Sequence, residues 1–332
     1  MSRTLFSFVG YGERNTPSQT DEEMISSALT MKLKSQLGLG LALALAAVVR
    51  IAAGQSGVRY VSNSGSARDV VVVAHQDDWQ LFMGDVIAER TRAGDSVTFI
   101  YLTAGDDGRD STYWQSRERA ALESTRIAAG LARTGAMQPT CSRVKVLGHL
   151  IRRCEVSNAE SYFLRLPDGK RSGSGFAVHS YQSLRKLRGK TISAISAVDQ
   201  SATYYGWEDL KSTLTELVER SVAGGPEEIV IHSSDPNIAV NPHDHLDHRM
   251  AGLLVADVNK KQNWKTRYYV GYALATRAAN RSTEEARQKT AVFLAYDGEM
   301  MRINREWSAY REHPAFYSEC MLRTYVRTSK VR

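Results

Sequence analysis

Two short stretches of this chain gather the side chains that can hold a cation and move a proton. The first is His75-Gln76-Asp77-Asp78, one imidazole and two carboxylates within four residues; the second is Asn241-Pro242-His243-Asp244-His245-Leu246-Asp247-His248. Two imidazoles and a carboxylate, with a fourth position left to water, form the ligand set of a catalytic zinc site. Adjacent acids such as Asp77 and Asp78 are wasteful side by side unless a cation separates their duties, one binding the metal while the other handles protons. Taken alone, Asp77-Asp78 reads as a helix N-cap pair and any one histidine of 241–248 as a capping or surface residue. Two such clusters, each with imidazole and acid, point to a metal.

The elements around them place both clusters at one edge of a sheet. Short β-branched runs alternate with longer amphipathic stretches, the pattern of an α/β domain with a mostly parallel sheet. Strands are expected at 69–74, 97–102, 143–147, 228–232 and 268–273, with helices at 80–92, 116–132, 207–223, 242–258 and 284–305. Residues 155–205, rich in Ser and Gly, read as irregular insertions that wall a site. The run Asp69 to Ala74 is apolar on both faces, as a central parallel strand is, and it leads straight into His75. The strand ending at His232 leads to the second cluster, where Asn241 is expected to cap a helix with Pro242 at its first position. His245 and His248, three apart, then share a helix face. Open α/β sheets bind ligands beyond the carboxyl ends of their strands, where both clusters fall.

These residues carry a resemblance. Ala74-His75-Gln76-Asp77-Asp78 resembles the A-H-P-D-D-E signature of the PIG-L/LmbE-like zinc-dependent de-N-acetylases, and His245-Leu-Asp247-His248 their later H-x-D-H signature. Weaker similarity extends over roughly residues 69–300, through Leu102-Thr-Ala-Gly105, the Arg117–Gly130 stretch and Lys289–Tyr296. The resemblance implies a Rossmann-like three-layer sandwich with a mostly parallel sheet. It also implies zinc, or another divalent metal, on His75, Asp78 and His248, with Asp77 as the general base. His245 would stabilise the developing oxyanion and Asp247 would orient an imidazole. The implied reaction is hydrolysis of an N-acyl, in the family an N-acetyl, group on an N-acetylglucosamine-type sugar or glycoconjugate. A metal-dependent phosphohydrolase and a non-catalytic secreted sugar-binding module are the competing readings. Gln76 and Trp79 depart from the family pattern, standing where it has Pro and Glu; Trp79 is either a sugar-stacking surface or core packing.

Other candidates stand outside that set. Asp106 and Arg109 follow a strand end and could meet substrate hydroxyls, although Asp-Asp-Gly composition by itself favours a turn. His243 and Asp244 read as a polar helix start in preference to a shell behind the ligands. Residues 1–54 are expected to hold an N-terminal extension and an export signal, with 37–49 as the apolar h-region after Lys32 and Lys34 and a small-residue cleavage site at 52–54. Thirteen apolar residues fall short of a comfortable bilayer span, so no stable membrane span is expected, an uncleaved anchor being the other outcome. Translation starting at Met31 would leave the first thirty residues outside the protein. A single domain is expected over 55–332, exported to the periplasm, cell surface or exterior.

Composition excludes other classes. With 332 residues, 42% hydrophobic and 24% charged, the chain is neither collagen-like nor largely disordered. Its formal charge of +7 is spread without a run of five like charges, so nucleic-acid binding is not expected. Three cysteines do not make a disulfide scaffold; pairing of Cys141 with Cys154 in an oxidising compartment stays open.

Overall fold

A computed structural model describes residues 67–131, 138–221, 228–304 and 308–329. The expectations for residues 1–54 lie outside the described residues. The strands are β1 (Ala67–Val73), β2 (Val97–Thr103), β3 (Thr140–Val146), β4 (His149–Val156), β5 (Ala159–Leu166), β6 (Ala194–Ser196), β7 (Thr203–Tyr205), β8 (Glu228–Ser234), β9 (Lys265–Tyr269) and β10 (Val326–Ser329). The helices are α1 (Asp78–Arg92), α2 (Ser111–Ala128), α3 (Leu184–Arg188), α4 (Gly206–Ser221), α5 (Leu246–Gln262), α6 (Thr283–Ile303), α7 (Ala309–Glu312) and α8 (Pro314–Met321). The main sheet has eight strands in the order β10-β9-β8-β1-β2-β5-β4-β3, and β6 pairs with β7 in a separate ribbon. From β9 to β5 neighbouring strands run parallel, and antiparallel strands close both edges. The fold is a mixed α/β sandwich with a mostly parallel central sheet between helices.

β1 is central because its valines are apolar on both sides. Val70 and Val72 pack with Leu214 and Leu217 of α4 and Ala251 and Leu254 of α5. Val71 and Val73 pack on the opposite face with Phe82 and Ile87 of α1, Ala121 of α2 and Phe293 of α6. All four valines are fully buried, each stabilising the fold by roughly 1.5–3 kcal/mol. A one-residue slip would exchange the two sets, so the register that delivers His75 to the sheet edge is strongly specified.

Three expectations need correction. Residues 155–205 are not wholly irregular: β5 joins the parallel sheet beside β2, and β4 turns back along it. The signal was hidden because β5 reads Ala-Glu-Ser-Tyr-Phe-Leu-Arg-Leu, and the buried Arg165 breaks its apolar run. That guanidinium is neutralised by Glu118 and Asp199, so a charge sits where a strand pattern calls for an aliphatic. The helix expected from Pro242 begins instead at Leu246, with His245 as N-cap. Asn241 is a loop brace, donating to the Asp235 carbonyl and accepting from the Gly271 amide. The strand expected at 268–273 is β9, ending at Tyr269, with a 3-10 turn over Tyr272–Thr276.

Cys141 and Cys154 face each other across the β3–β4 pair and form a disulfide, while Cys320 is free and buried. No helix among the described residues is long and apolar enough to cross a membrane.

Candidate metal centre

The sheet changes direction of growth at β1: the chain builds outward through β2 to β5 and then returns to β8 on the other side. The crevice beyond the carboxyl ends of β1 and β8 lies at this switch point. His75 enters it two residues after β1, and His248 enters as the third residue of α5.

Asp78 is the first residue of α1, but it turns back toward the strand. Its Oδ2 accepts the Ala74 and His75 amide protons at 3.0 and 2.8 Å, closing a tight turn and fixing the carboxylate. That leaves Oδ1 directed at two imidazoles, 3.0 Å from His248 Nε2 and 3.4 Å from His75 Nδ1. The two nitrogens are themselves 3.0 Å apart. Metal–ligand bonds of about 2.0–2.1 Å in a tetrahedron place neighbouring donors about 3.3–3.4 Å apart, so this triangle fits a zinc-sized cation with a few tenths of an ångström of adjustment. On the far side of His248, Asp244 Oδ1 lies 3.0 Å from Nδ1, leaving Nε2 as the donor toward the centre. Asp244 therefore orients the His248 ring, which goes beyond its reading as a polar helix start. His243 is exposed and offers only its carbonyl, to Arg171.

Electrostatics supports the same conclusion. Burial opposes charge on Asp78, yet the adjacent His248 and His75 hold its carboxyl well below the usual range. Burial likewise opposes protonation of His248 and His75, but Asp78 with Asp244, and Asp78 with Asp247, outweigh it. His248 is raised to about 10 and His75 well above its ordinary value. Both rings face carboxylates that favour positive charge, a compensation that a bound cation would supply in place of protons.

Behind His75 a second group of donors gathers. His75 Nε2 lies 3.5 Å from Asp168 Oδ2 and 3.7 Å from Asp247 Oδ2. The groups His75–Asp78–His248 and His75–Asp168–His245–Asp247 each bring their ligand atoms within 4.8 Å of one another. They share one ring. A neutral imidazole whose Nδ1 binds a cation carries its proton on Nε2, and the Asp168 and Asp247 carboxylates lie near that atom without hydrogen-bonding it. Either group could hold an ion; the triangle is the one whose edges match tetrahedral donor spacing. Asp247 is fully buried and held by the Gly169 amide at 2.6 Å.

His245 caps α5 through its ring: Nδ1 accepts the Asp247 amide proton at 3.2 Å. Burial and the neighbouring His75 push its pKa down to about 3. The ring is thus neutral with its proton on Nε2, which lies 3.7 Å from Asp168 Oδ1. A neutral N–H of this kind is suited to polarising a carbonyl oxygen.

Asp77 sits at the N-cap of α1 without making the cap bond. Its Oδ1 accepts from Arg117 Nη2 at 2.5 Å, and the carboxylate keeps some solvent access. Arg117 on α2, Asp168 after β5 and Asp244 before α5 were not singled out as site residues by sequence reasoning, because each becomes adjacent only through a crossover or loop. For Arg117 the signal was its place in the Arg- and Glu-rich helix, and for Asp244 its position four before His248, one helical turn away.

The remaining candidates lie elsewhere. Trp79 is fully buried, its indole N–H donating to the Tyr101 hydroxyl at 3.1 Å beside Phe99, so it is core packing and offers no stacking surface. Asp106 is fully buried and already bonded to the Asp168 and Gly108 amides and to His179 Nε2, so it braces the 168 loop. Arg109 is exposed and stacks 3.9 Å over Tyr113.

Comparison with known proteins adds a family. Residues 70–259 match the family model described as PIG-L, GlcNAc-PI de-N-acetylase. No curated protein matches the chain. Among solved structures the chain is similar to the N,N'-diacetylchitobiose deacetylase of Pyrococcus horikoshii, at 14% identity and a TM-score of 0.42, covering 83% of this chain and 88% of that one. It is similar also to the zinc-inhibited form of teicoplanin deacetylase Orf2, at 12% identity and a TM-score of 0.38, covering 71% and 85%. A third similar structure is GalB, the 4-carboxy-2-hydroxymuconate hydratase of Pseudomonas putida KT2440, at 13% identity and a TM-score of 0.35, covering 76% and 82%.

Proposed function

Because the chain belongs to the PIG-L family of de-N-acetylases, we propose that it hydrolyses the N-acetyl group of an N-acetylglucosamine-type sugar or glycoconjugate, with zinc held by His75, Asp78 and His248. The observation that carries this reading is the triangle of His75 Nδ1, Asp78 Oδ1 and His248 Nε2, with edges of 3.0–3.4 Å. A divalent cation bound there supplies a Lewis acid that polarises the amide carbonyl and lowers the pKa of water from 15.7 to about 7. The protein residues do the rest. Asp77, paired with Arg117, takes the proton of the attacking water and returns it to the departing amine. His245 donates its Nε2 proton to the oxygen on which charge develops. Asp168 and Asp247 put negative charge beside the second nitrogen of His75, at 3.5 and 3.7 Å.

Export completes the reading. It rests on the charged, apolar and small-residue order of residues 31–54, and the Cys141–Cys154 disulfide supports it, since such bonds persist in oxidising compartments. The substrate is then a glycan or glycoconjugate outside the cytosol.

The test is a free-amine assay on a panel of N-acetylated sugars and glycoconjugates, with elemental analysis of the same preparation. Amine release that chelation abolishes and zinc restores supports the proposal. Phosphate release without amine, or turnover indifferent to chelation, overturns it.

A further inference from the structure

The proposed base is held in place by a residue the family pattern does not have. Gln76 stands where A-H-P-D-D-E has proline, and its side chain is completely buried. Its Nε2 donates to the Thr103 carbonyl at the end of β2 at 2.8 Å, and its Oε1 accepts from Arg117 Nε at 3.2 Å. Arg117 then donates from Nη2 to Asp77 Oδ1 at 2.5 Å. A side-chain amide accepts from a guanidinium on one end while donating to a carbonyl on the other; proline does neither. Gly105, at φ +54, leaves room for the bridge, since a Cβ there would stand 2.8 Å from Gln76 Oε1 and 2.9 Å from Arg117 Nε.

The bridge ends at Asp77. An aspartate at a helix N-cap ordinarily accepts an amide proton from the first turn, a contact stabilising by about 1 kcal/mol. Asp77 occupies that position at α1 and makes no such bond. Its backbone there is helical, at φ −104° and ψ −7°, and its carboxylate pairs with Arg117, whose guanidinium is pinned between Gln76 and the rings of Tyr113 and Tyr296.

Resting on the assignment of Asp77 as the base, we propose that Gln76 is a positioning residue: through Arg117 it fixes the orientation of the Asp77 carboxylate. Gln76→Met keeps the length and bulk while removing both hydrogen bonds. It is expected to lower kcat roughly tenfold or more with KM within twofold and metal content unchanged, as small displacements of a catalytic group do. In an Arg117→Lys background the same substitution is expected to cost nothing further, because the path runs through the guanidinium. Gly105→Ala, which drives a methyl group into the bridge, is expected to reproduce the loss and serves if Gln76→Met does not fold.

A kcat within twofold of the parent, a loss that tracks metal content, or independent effects of the Gln76 and Arg117 changes would overturn the proposal. A crystal structure of Gln76→Met reads the placement without any assay. Asp77 found released from Arg117 supports the role of Gln76 even if the parent protein releases no amine, whereas Asp77 still on Arg117 as in the parent refutes it.

Discussion

His75 Nδ1 lies 3.0 Å from His248 Nε2, although 173 residues separate them in the chain. Two imidazole nitrogens at this distance, with Asp78 Oδ1 within 3.4 Å of both, need either a proton or a cation between them. His248→Ala is therefore expected to leave purified protein with far less than one equivalent of metal, and Asp78→Ala to do the same. Elemental analysis of both variants beside the parent checks this; full metal content in either would place the ion elsewhere.

Asp244 supports His248 from behind through its Nδ1, 3.0 Å away. Removing such a partner typically weakens metal binding by about 10- to 100-fold. Asp244→Ala is expected to fall in that range in a competition titration against a chelator of known affinity, with the fold intact by circular dichroism. An unchanged affinity would mean that the ring needs no such orientation.

Asp77 binds no metal in this arrangement, so Asp77→Asn separates chemistry from binding. Its kcat is expected to drop by about 10²- to 10⁴-fold, the usual worth of a positioned proton carrier, with metal content and KM near those of the parent. Retained activity would remove Asp77 from the base role.

The disulfide between Cys141 and Cys154 closes a sequence separation of 13 at the β3–β4 edge of the sheet. A closed loop of that size stabilises a fold by roughly 3 kcal/mol in the chain-entropy account. Cys141→Ser with Cys154→Ser is expected to lower the unfolding free energy by up to this amount in denaturant titrations. The metal centre lies at the β1 and β8 strand ends, so metal content is expected to be unaffected.

Lys289 of α6 is completely buried, donating to the Arg323 carbonyl and to Thr324 Oγ1, with Asp85, Arg281 and Cys320 around it. Burial lowers its pKa from the ordinary 10.5 to about 8, despite the opposing pull of Asp85. Between these values the folded protein has released a proton that the unfolded chain still holds, so this residue's contribution to stability rises with pH across the window. The gain is ~3 kcal/mol, at about 1.4 kcal/mol per unit. Buried tyrosines and Cys320 titrate nearby with the opposite sign, so the check is the difference between parent and Lys289→Met in chemical denaturation at pH 7.5 and 10. A difference independent of pH would show that Lys289 titrates normally.

Local sequence alone determined a good deal of this protein. Val70 to Val73 can only be a doubly covered strand, and the turn after it is written into four consecutive residues, so His75, Asp77 and Asp78 must emerge together. Asp78 reaches the Ala74 and His75 amides across three or four residues, a contact that needs no tertiary structure. Other features were not legible. Whether His245 caps α5 or His248 faces Asp78 depends on where that helix starts, and the Asn241-Pro242 signal lost because Asn241 was drawn to Asp235 and Gly271 instead. Strand β5 was masked by Arg165, a charge tolerable inside only because Glu118 and Asp199 come to it from other elements. Asp168, Arg117 and the bridge through Gln76 belong to three different loops and helices. Their meeting is decided by the order in which parallel strands are laid down about β1, since crossovers bring distant residues to one sheet edge while periodicity and capping act only within a turn or two.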